Sequence, residues 1–320
     1  MDDLRLFSGT GNPKLAQDIA EQLGVPVGAM SIQRFRDGEI YMQVEQSVRG
    51  DDVFLVQSAA SPVNEFLMEL LIMIDTFKRA SARRVNVVMP YYFYARQDRK
   101  VKPREPVTAK LVANMLTAAG ASRLLTVDLH SGQIMGFFDI PVDHLYAGPI
   151  IANYLVEKIA VKDNTVVVSP DVGGVTRARA LAEFLGTPLA IIMKRRPEPN
   201  SCEVMELIGD VSGRTAIMID DLIDTGGSVI KGATALLERG AKEVYVACSH
   251  GVFSGEAPQR LLESPIKNVI TTDTIPLSPE SRDSKIVVVS VAGLLADAIK
   301  RIHMEGSVAE LFSKHWKGQS

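Results

Sequence analysis

The segment IMIDDLIDTGGS occupies residues 217–228 and joins an apolar run to an acidic loop and then to a helical pattern. Its apolar start, 217–219, is typical of a buried strand, and the residues after Ser228 keep a helical period until about Gly240. A buried strand that passes through a short loop into a helix is the repeating unit of α/β proteins with mostly parallel sheets. This segment therefore predicts the fold class.

Similar apolar runs recur along the chain between helical patterns. One helix is predicted behind a cap at Asn64, and another follows Pro106 and ends at Gly120. The alternation predicts an α/β fold throughout. The predicted strands are 53–56, 85–89, 124–127, 165–168, 189–193, 215–219, 243–247 and 286–289.

The length of 320 residues predicts two compact domains, at about 150 residues per domain. A phrase that reads as helix end, tight turn and buried strand begins at Arg79, Ala118 and Glu238. Two similar α/β domains would produce this repetition, and so would any chain of βαβ units. We place the boundary at the Ala-Gly-Pro break of residues 147–149, which gives domains 1–147 and 148–320, with the last segment packing back on the first.

Composition excludes several classes of protein. The chain is 46% hydrophobic and 23% charged, which is typical of a globular protein. Its net charge of −3 gives no field that would attract nucleic acid or an anionic membrane. Cys202 and Cys248 show no disulfide or zinc spacing, and the start of the sequence has no cationic leader. We expect a cytoplasmic protein with no nucleic-acid or membrane partner.

The acidic loop of residues 220–228 has the chemistry of a sugar-phosphate site. Its small residues leave backbone N–H groups at a helix N-terminus, where donors and dipole both favour a phosphate monoester. The aspartates can accept hydrogen bonds from sugar hydroxyl groups. An acidic turn that only caps a helix is the simpler alternative. The loop lacks the Gly-Lys-Ser/Thr ending of a Walker A motif.

A second segment, residues 91–104, mixes aromatic residues with arginine and lysine. This mixture suits a single-stranded nucleic-acid patch, a solvated basic loop or a polyphosphate site, and the overall charge argues against nucleic acid. Three further polar groups follow predicted strands: His130, Asp171 and the basic run 194–196. Such strand ends are where open α/β sheets bind ligands. The prolines after residue 196 predict a loop with cations at its root.

The segment MIDDLIDTGGS, residues 218–228, resembles the phosphoribosyl diphosphate binding motif of phosphoribosyltransferases and ribose-phosphate pyrophosphokinases. Other segments resemble the second family alone, from near the first residue to near the last. They are RFRDGEI from Arg34, MELLIMIDTFKRASA from Met68, PYYFYARQDRK from Pro90, DLHSGQIMGFFDIP from Asp128, SPDVGGVTRAR from Ser169, KRRPEPN from Lys194 and SVAELF from Ser307.

The resemblance implies two similar phosphoribosyltransferase-like domains and a defined reaction. The β,γ-diphosphoryl group of ATP would pass to the 1-hydroxyl of ribose 5-phosphate, with release of AMP and a need for Mg²⁺. It also implies an oligomer, favoured as a homohexamer, in which the segment 35–39 comes from a neighbouring subunit. The residues that it assigns to ATP are Phe35, Asp37, Gly38, Glu39, Arg96 and Gln97.

The resemblance assigns Mg²⁺ to His130 and Asp171. The residues that it assigns to ribose 5-phosphate are Arg196, Asp220, Asp221, Asp224, Thr225, Gly226, Gly227 and Ser228. We expect Lys194 and Arg196 to neutralise charge in the transition state, because phosphoryl transfer depends on positioning and electrostatic stabilisation. A surface basic run is the alternative for these two residues.

Phosphate activation and ADP inhibition are implied by a regulatory site that matches Ser47, Arg49, Arg104, Ser307 and Phe312. Ala309 stands where serine is frequent in the family, and Val172, Glu198, Cys202 and Ser228 lie at variable positions. Two other functions are alternatives: a phosphoribosyltransferase, which needs no ATP segment, and a catalytically silent regulatory homologue. Gly9 to Gly11 lacks the third glycine of a dinucleotide fingerprint, Asn12-Pro13 predicts a helix start, and Asp51-Asp52 reads as a turn.

Overall fold

The computed structural model describes residues 3–159, 164–195, 204–281, 285–309 and 311. The chain forms two compact units. The first contains the described residues of 3–146, 274–276 and 291–311, and the second those of 147–273 and 277–290. Within the described residues, no helix combines the length and the apolar character needed to cross a membrane.

The first unit begins with a parallel sheet of five strands in the order β1-β4-β5-β6-β7. A separate antiparallel hairpin, β2 with β3, follows the first helix. The elements are β1 (Leu4–Ser8), α1 (Pro13–Leu23), β2 (Met30–Arg34), β3 (Ile40–Val44), β4 (Asp52–Val56), α2 (Val63–Arg79), β5 (Arg84–Val88), α3 (Thr108–Ala119), β6 (Arg123–Val127) and β7 (Val142–Leu145).

The second unit contains a sheet of seven strands in the order β10-β9-β8-β11-β12-β13-β14, and the chain then ends its described part with a helix in the first unit. The elements are α4 (Gly148–Tyr154), β8 (Thr165–Ser169), α5 (Val175–Leu185), β9 (Leu189–Arg195), β10 (Val204–Ile208), β11 (Thr215–Ile223), α6 (Gly227–Glu238), β12 (Glu243–Gly251), α7 (Ala257–Glu263), β13 (Val269–Thr272), β14 (Ile286–Val289) and α8 (Ala292–His303).

The central strands of both sheets are β-branched and apolar runs that are buried on both faces. Every residue of β4 and of β8 is buried, as expected for parallel strands covered by helices. In the first unit, Phe7 of β1 packs against Phe77 of α2, with ring centroids 4.4 Å apart. In the second, Met218, Ala233 and Val246 belong to one continuous core. Burial of these side chains fixes which face of each helix meets its sheet.

The strand order of the second sheet reverses direction at one place. From β8 the chain moves to β9 on one side, and it later returns to β11 on the other side. In open α/β sheets, ligands bind at the carboxyl ends of the strands beside such a reversal, because the loops there diverge and leave a crevice. Asp171 follows β8, and the acidic loop ends β11, so both lie at this edge.

All eight predicted strands are confirmed, and β9, β11 and β12 extend beyond their predicted ends by two to four residues. The strands β1, β2, β3, β7, β10 and β13 were not predicted. β11 continues to Ile223 and β12 to Gly251, because the two strands stay in register over this whole length. Asp220 and Asp221 therefore lie within β11 and not in a loop. The cap prediction at Asn64 was wrong: α2 begins at Val63 after Pro62, and no side chain caps it.

Candidate active site

The acidic loop turns from β11 into α6 within a few residues. Gly226 has φ +74°, a left-handed conformation that glycine adopts without steric strain. It precedes the first residue of α6, Gly227, and has no side chain that could cap the helix. The first backbone N–H groups of α6 have no acceptor within the helix, and a helix N-terminus of this kind stabilises an anion.

Two carboxyl groups lie next to each other near the end of strand β11. Asp220 is a quarter exposed and Asp221 is buried. The backbone N–H of Asp221 donates to Oδ1 of Asp220 over 2.9 Å. Nη1 of Arg177, from α5, lies 3.3 Å from Oδ1 of Asp220 and 3.4 Å from Oδ1 of Asp221. One guanidinium group therefore bridges both carboxyl groups.

The environment of Asp220 raises its pKa to about 7. Burial is the largest cause, because it disfavours the charged form, and the adjacent Asp221 carboxyl group acts in the same direction. The charge of Arg177 opposes both effects. Strongly shifted carboxyl groups at a strand end are typical of functional sites.

A segment that the sequence reading missed supports the acidic loop from the side. Ser254, which follows β12, hydrogen-bonds to Oδ1 of Asp224. Nη1 of Arg260, from α7, donates to the backbone oxygen of Thr225 over 3.3 Å. The apolar run before Ser254 and its place at the end of a neighbouring strand are the signals that could have indicated this support.

Asp171 lies at the same edge of the second sheet, after β8. Its Oδ1 accepts the N–H of Gly174 over 2.9 Å, and Ser169 Oγ donates to its backbone oxygen over 2.7 Å. These bonds fix the carboxyl group at the start of α5.

The backbone of Lys194 lies in β9, which pairs antiparallel with β10. The side chain of Lys194 and all of Arg196 lie outside the described residues.

The predicted ATP residues of the first unit come from two separate segments. Arg96 and Gln97 lie in the turn between β5 and α3, and both are exposed. The N–H of Gln97 donates to Tyr94, whose φ is +62°, and Oε1 of Gln97 accepts from Thr108 over 2.6 Å. Gln97 is thus held by the first residue of α3, and the turn presents its neighbour Arg96 at the surface.

The second segment is the tip of the β2–β3 hairpin. Phe35 is 56% exposed, and its ring centroid lies 5.9 Å from that of Tyr41. Asp37 accepts the N–H of Glu39 over 3.1 Å, and Gly38 at φ +96° closes the turn. The hairpin tip thus exposes an aromatic ring beside two exposed acids.

His130 is exposed at the end of the β6 segment. Its position depends on the preceding turn, where the N–H of Leu129 donates to Nε2 of the buried His144 over 2.9 Å. The N–H of Asp128 also donates to Leu145 of β7 over 2.9 Å. The sequence reading did not find His144, because a lone histidine in an edge strand has no distinctive spacing. No three His, Cys, Asp or Glu side chains among the described residues form a group that could hold a metal.

The predicted regulatory residues lie on three loops of the first unit. Ser47 and Arg49 are exposed before β4, and Arg104, at φ +68°, is exposed before α3. Ser307 follows α8, and its backbone oxygen accepts from Nη1 of Arg301 over 2.8 Å. Phe312 lies outside the described residues.

Open parallel sheets with an acidic strand end and a glycine turn before a helix define a phosphoribosyltransferase-like α/β protein. A profile for the "N-terminal domain of ribose phosphate pyrophosphokinase" matches residues 4–120, and one for a "phosphoribosyl synthetase-associated domain" matches residues 194–313. The chain therefore belongs to the ribose-phosphate pyrophosphokinase family.

Relatives support this assignment over nearly the whole length. A "Ribose-phosphate pyrophosphokinase" of Caldanaerobacter subterraneus subsp. tengcongensis is 58% identical, over 98% of this chain and 98% of its own. One of Fusobacterium nucleatum is 56% identical, over 98% and 99%. The solved structure of phosphoribosylpyrophosphate synthetase from Mycobacterium smegmatis has a TM-score of 0.90 at 45% identity, covering 95% of this chain and 100% of that one. The predicted family and the predicted fold class are both confirmed.

Proposed function

We propose that this protein is a ribose-phosphate diphosphokinase, a transferase that makes 5-phosphoribosyl 1-diphosphate and AMP from ATP and ribose 5-phosphate for nucleotide biosynthesis. The observation that carries the proposal is the acidic loop: paired carboxyl groups directly precede a glycine turn at a helix N-terminus. The full-length relatives named above support the same reaction.

The loop suits ribose 5-phosphate in both of its chemical parts. The N–H groups of residues 225–228 would bind the 5-phosphate, and Asp220 and Asp221 would accept hydrogen bonds from the ring hydroxyl groups. Ser254 and Arg260 hold the loop in place through Asp224 and Thr225. This arrangement would hold the sugar so that its 1-hydroxyl oxygen is available to attack the β-phosphorus of ATP.

Arg96, Gln97 and the hairpin tip would bind ATP, with Phe35 offering a face to the adenine. AMP is the leaving group when the new bond to the β-phosphorus forms. Lys194 and Arg196 would neutralise the charge that spreads over the phosphoryl oxygens in the transition state. Of the two residues predicted for Mg²⁺, Asp171 offers a partly exposed carboxyl group and His130 an exposed imidazole, and this ion takes few protein ligands and keeps several waters. Bound Mg²⁺ would supply further neutralisation of the phosphates.

A direct test mixes the protein with ATP, ribose 5-phosphate and Mg²⁺ and separates the products. We expect one AMP for each diphosphorylated sugar. Release of ADP would instead identify an ordinary kinase, and no reaction would contradict the proposal. Lys194→Ala should lower kcat by about a hundredfold or more while ribose 5-phosphate still binds, as for loss of a cation that acts in the transition state. An unchanged kcat would remove this role from Lys194.

Regulation belongs to the same proposal. Ser47, Arg49, Arg104, Ser307 and Phe312 would form a site where inorganic phosphate activates the enzyme and ADP inhibits it. We expect ADP inhibition that saturating ATP does not relieve. Purely competitive inhibition, with no effect of phosphate at saturating Mg²⁺, would contradict such a site. The balanced charge and the lack of a disulfide pattern support a cytoplasmic enzyme.

A further inference from the structure

Arg177 connects the first turn of α5 with the end of β11. It is the third residue of the helix that follows β8, and β8 is the neighbour of β11 in the sheet. Helix α5 packs against β11 as well as against its own strand. The guanidinium group can therefore reach the acidic loop although Arg177 is 43 positions from Asp220 in the sequence.

The contacts of Arg177 are with carboxyl groups. Nη1 lies 3.3 Å from Asp220 and 3.4 Å from Asp221, and the Arg177 side chain is 23% exposed. Arginine keeps its positive charge at any physiological pH. A positive charge therefore always lies beside the two carboxyl groups. A positive charge within about 4 Å favours the ionised form of both neighbours.

The same contacts also orient the carboxyl group of Asp220. Asp220 Oδ1 accepts from the Asp221 N–H and also faces Nη1 of Arg177, so two donors orient its carboxyl plane. Hydroxyl groups of a sugar form stronger hydrogen bonds with ionised acceptors than with neutral ones. Affinity for the hydroxyl part of the substrate therefore depends on the state of these two acids.

We infer that Arg177 is a positioning residue of the ribose site, which aligns the Asp220 and Asp221 carboxyl groups and favours their ionised form, so that they accept hydrogen bonds from the pentose hydroxyl groups. The inference rests on the proposed function. It gives Arg177 a role through the two acids and none in the transfer of the diphosphoryl group.

The chain contains a matched control on the same helix. Arg179 lies two positions further along α5 and its side chain is exposed. Arg177→Gln removes the bridging charge and keeps a polar side chain, and Arg177→Lys keeps a charge but loses the planar fork that can contact two carboxylates. Arg179→Gln changes the net charge by the same amount as Arg177→Gln.

The first measurement is steady-state kinetics, in which the concentration of one substrate is varied while the other substrate is saturating. We expect Arg177→Gln to raise KM for ribose 5-phosphate about tenfold or more, in line with weakened hydrogen bonds to charged groups. Its kcat and its KM for ATP should stay close to the wild-type values. The KM of Arg177→Lys for ribose 5-phosphate should lie between the values of the wild type and Arg177→Gln. The KM of Arg179→Gln should match that of the wild type. A wild-type KM in Arg177→Gln, or a fall in kcat alone, would overturn the inference.

The second measurement is isothermal titration without ATP, using ribose 5-phosphate and 2-deoxyribose 5-phosphate. Arg177→Gln should weaken binding of the first ligand more than binding of the second, because the deoxy sugar lacks one of the hydroxyl groups concerned. Equal losses would indicate a general structural effect and would overturn the inference. If Arg177→Gln does not fold, as judged by circular dichroism, Arg177→Lys carries both tests, and wild-type values there would overturn it.

These outcomes separate the inference from the proposed function. A wild-type protein that forms no AMP from ATP and ribose 5-phosphate would contradict the reaction, whatever the variants do. A wild-type protein that forms AMP, together with an Arg177→Gln variant of unchanged sugar affinity, would contradict the role of Arg177 alone.

Discussion

The carboxyl group of Asp220 is three-quarters buried and lies beside the carboxyl group of Asp221. Burial, reinforced by Asp221, raises its pKa to about 7 in the folded protein, against an ordinary value of 3.8. A carboxyl group whose pKa is raised by folding makes its full contribution to stability only at pH values below its ordinary pKa. This contribution is lost as the pH rises to the folded-state value. Asp220 is therefore a residue at which the ligand site opposes stability.

Asp220→Asn should make the protein more stable and less able to bind sugar phosphate. Because asparagine does not ionise, we expect the variant to be stabilised by about 2 kcal/mol at pH 8, which is part of what the full pKa shift implies. The advantage should fall by more than half at pH 5, where Asp220 is still protonated in the folded wild type. Calorimetric unfolding at both pH values measures this.

Asp297→Asn is the control for this prediction, since Asp297 is exposed on α8. It should change the unfolding midpoint little at either pH. A lower midpoint for Asp220→Asn at pH 8, or an advantage that does not depend on pH, would show that ionisation of Asp220 does not oppose folding.

Single residues were predicted well where the signal is local. Asn12 accepts the N–H of Leu15 at the start of α1, as the Asn-Pro pair indicated. Asp52 was misread as a turn residue. It is fully buried and receives hydrogen bonds from Arg84, Asn86 and His303, the last of them 251 positions away. Burial raises its pKa, but these three bonds outweigh burial and lower it. No local pattern reveals partners at that distance.

Two helix ends, the C-terminal end of α5 and the N-terminal end of α6, contain glycines with similar backbone conformations and different proposed roles. Gly186, at φ +64°, ends α5 and a Cβ there would meet open space. Gly226, at φ +74°, begins α6 within the acidic loop, and a Cβ would lie 3.4 Å from Leu261. Both glycines adopt a backbone conformation that disfavours other residues, but only Gly226 orients N–H groups towards the proposed phosphate.

Replacing each of these glycines with alanine should therefore have equal structural and unequal functional effects. We expect Gly186→Ala and Gly226→Ala each to destabilise the protein by about 1 to 2 kcal/mol, from the strain of a left-handed non-glycine residue. Only Gly226→Ala should raise KM for ribose 5-phosphate, which kinetics alongside thermal unfolding would detect. Similar KM changes in both variants would mean that the turn at Gly226 does not shape the site.

Strand positions were predictable from apolar runs, whereas strand lengths were not. The run 215–219 correctly located β11, but its continuation through two aspartates to Ile223 depends on pairing with β12. The β2–β3 hairpin was missed as secondary structure, because its two strands are short and none of their residues is fully buried. Local sequence therefore located the acidic end of β11, and tertiary pairing determined which residues lie in the strand.

For the whole molecule, the chain order does not follow the division into units. Residues 291–311 belong with the first unit, where α8 packs against α1 and His303 lies 2.9 Å from Asp52. The amphipathic pattern of α8 is like that of the other helices and does not by itself indicate this return. The hairpin tip and Arg96, both assigned to the proposed ATP site, are exposed in the single chain.

We propose that the ATP site is shared between subunits of a homohexamer, with the hairpin of one chain beside Arg96 of another. A closed oligomer of this kind repeats one contact at every site. Phe35→Ala and Arg96→Ala should each be nearly inactive alone, and light scattering should show that each retains the oligomeric mass of the wild type. After the two variants are dissociated and reassembled together, about a quarter of the sites should regain both native parts, since random mixing places each native part at half of the positions.

The control for this mixing experiment uses two variants of one site within one chain, Arg177→Gln and Asp220→Asn. Their side chains contact each other in the same unit, so every mixed site still carries one defect. We expect no recovery beyond the mean of the two variants. Recovery there as well would point to incomplete dissociation or contamination, and no recovery with Phe35→Ala and Arg96→Ala would mean that each chain builds its ATP site from its own hairpin or without it.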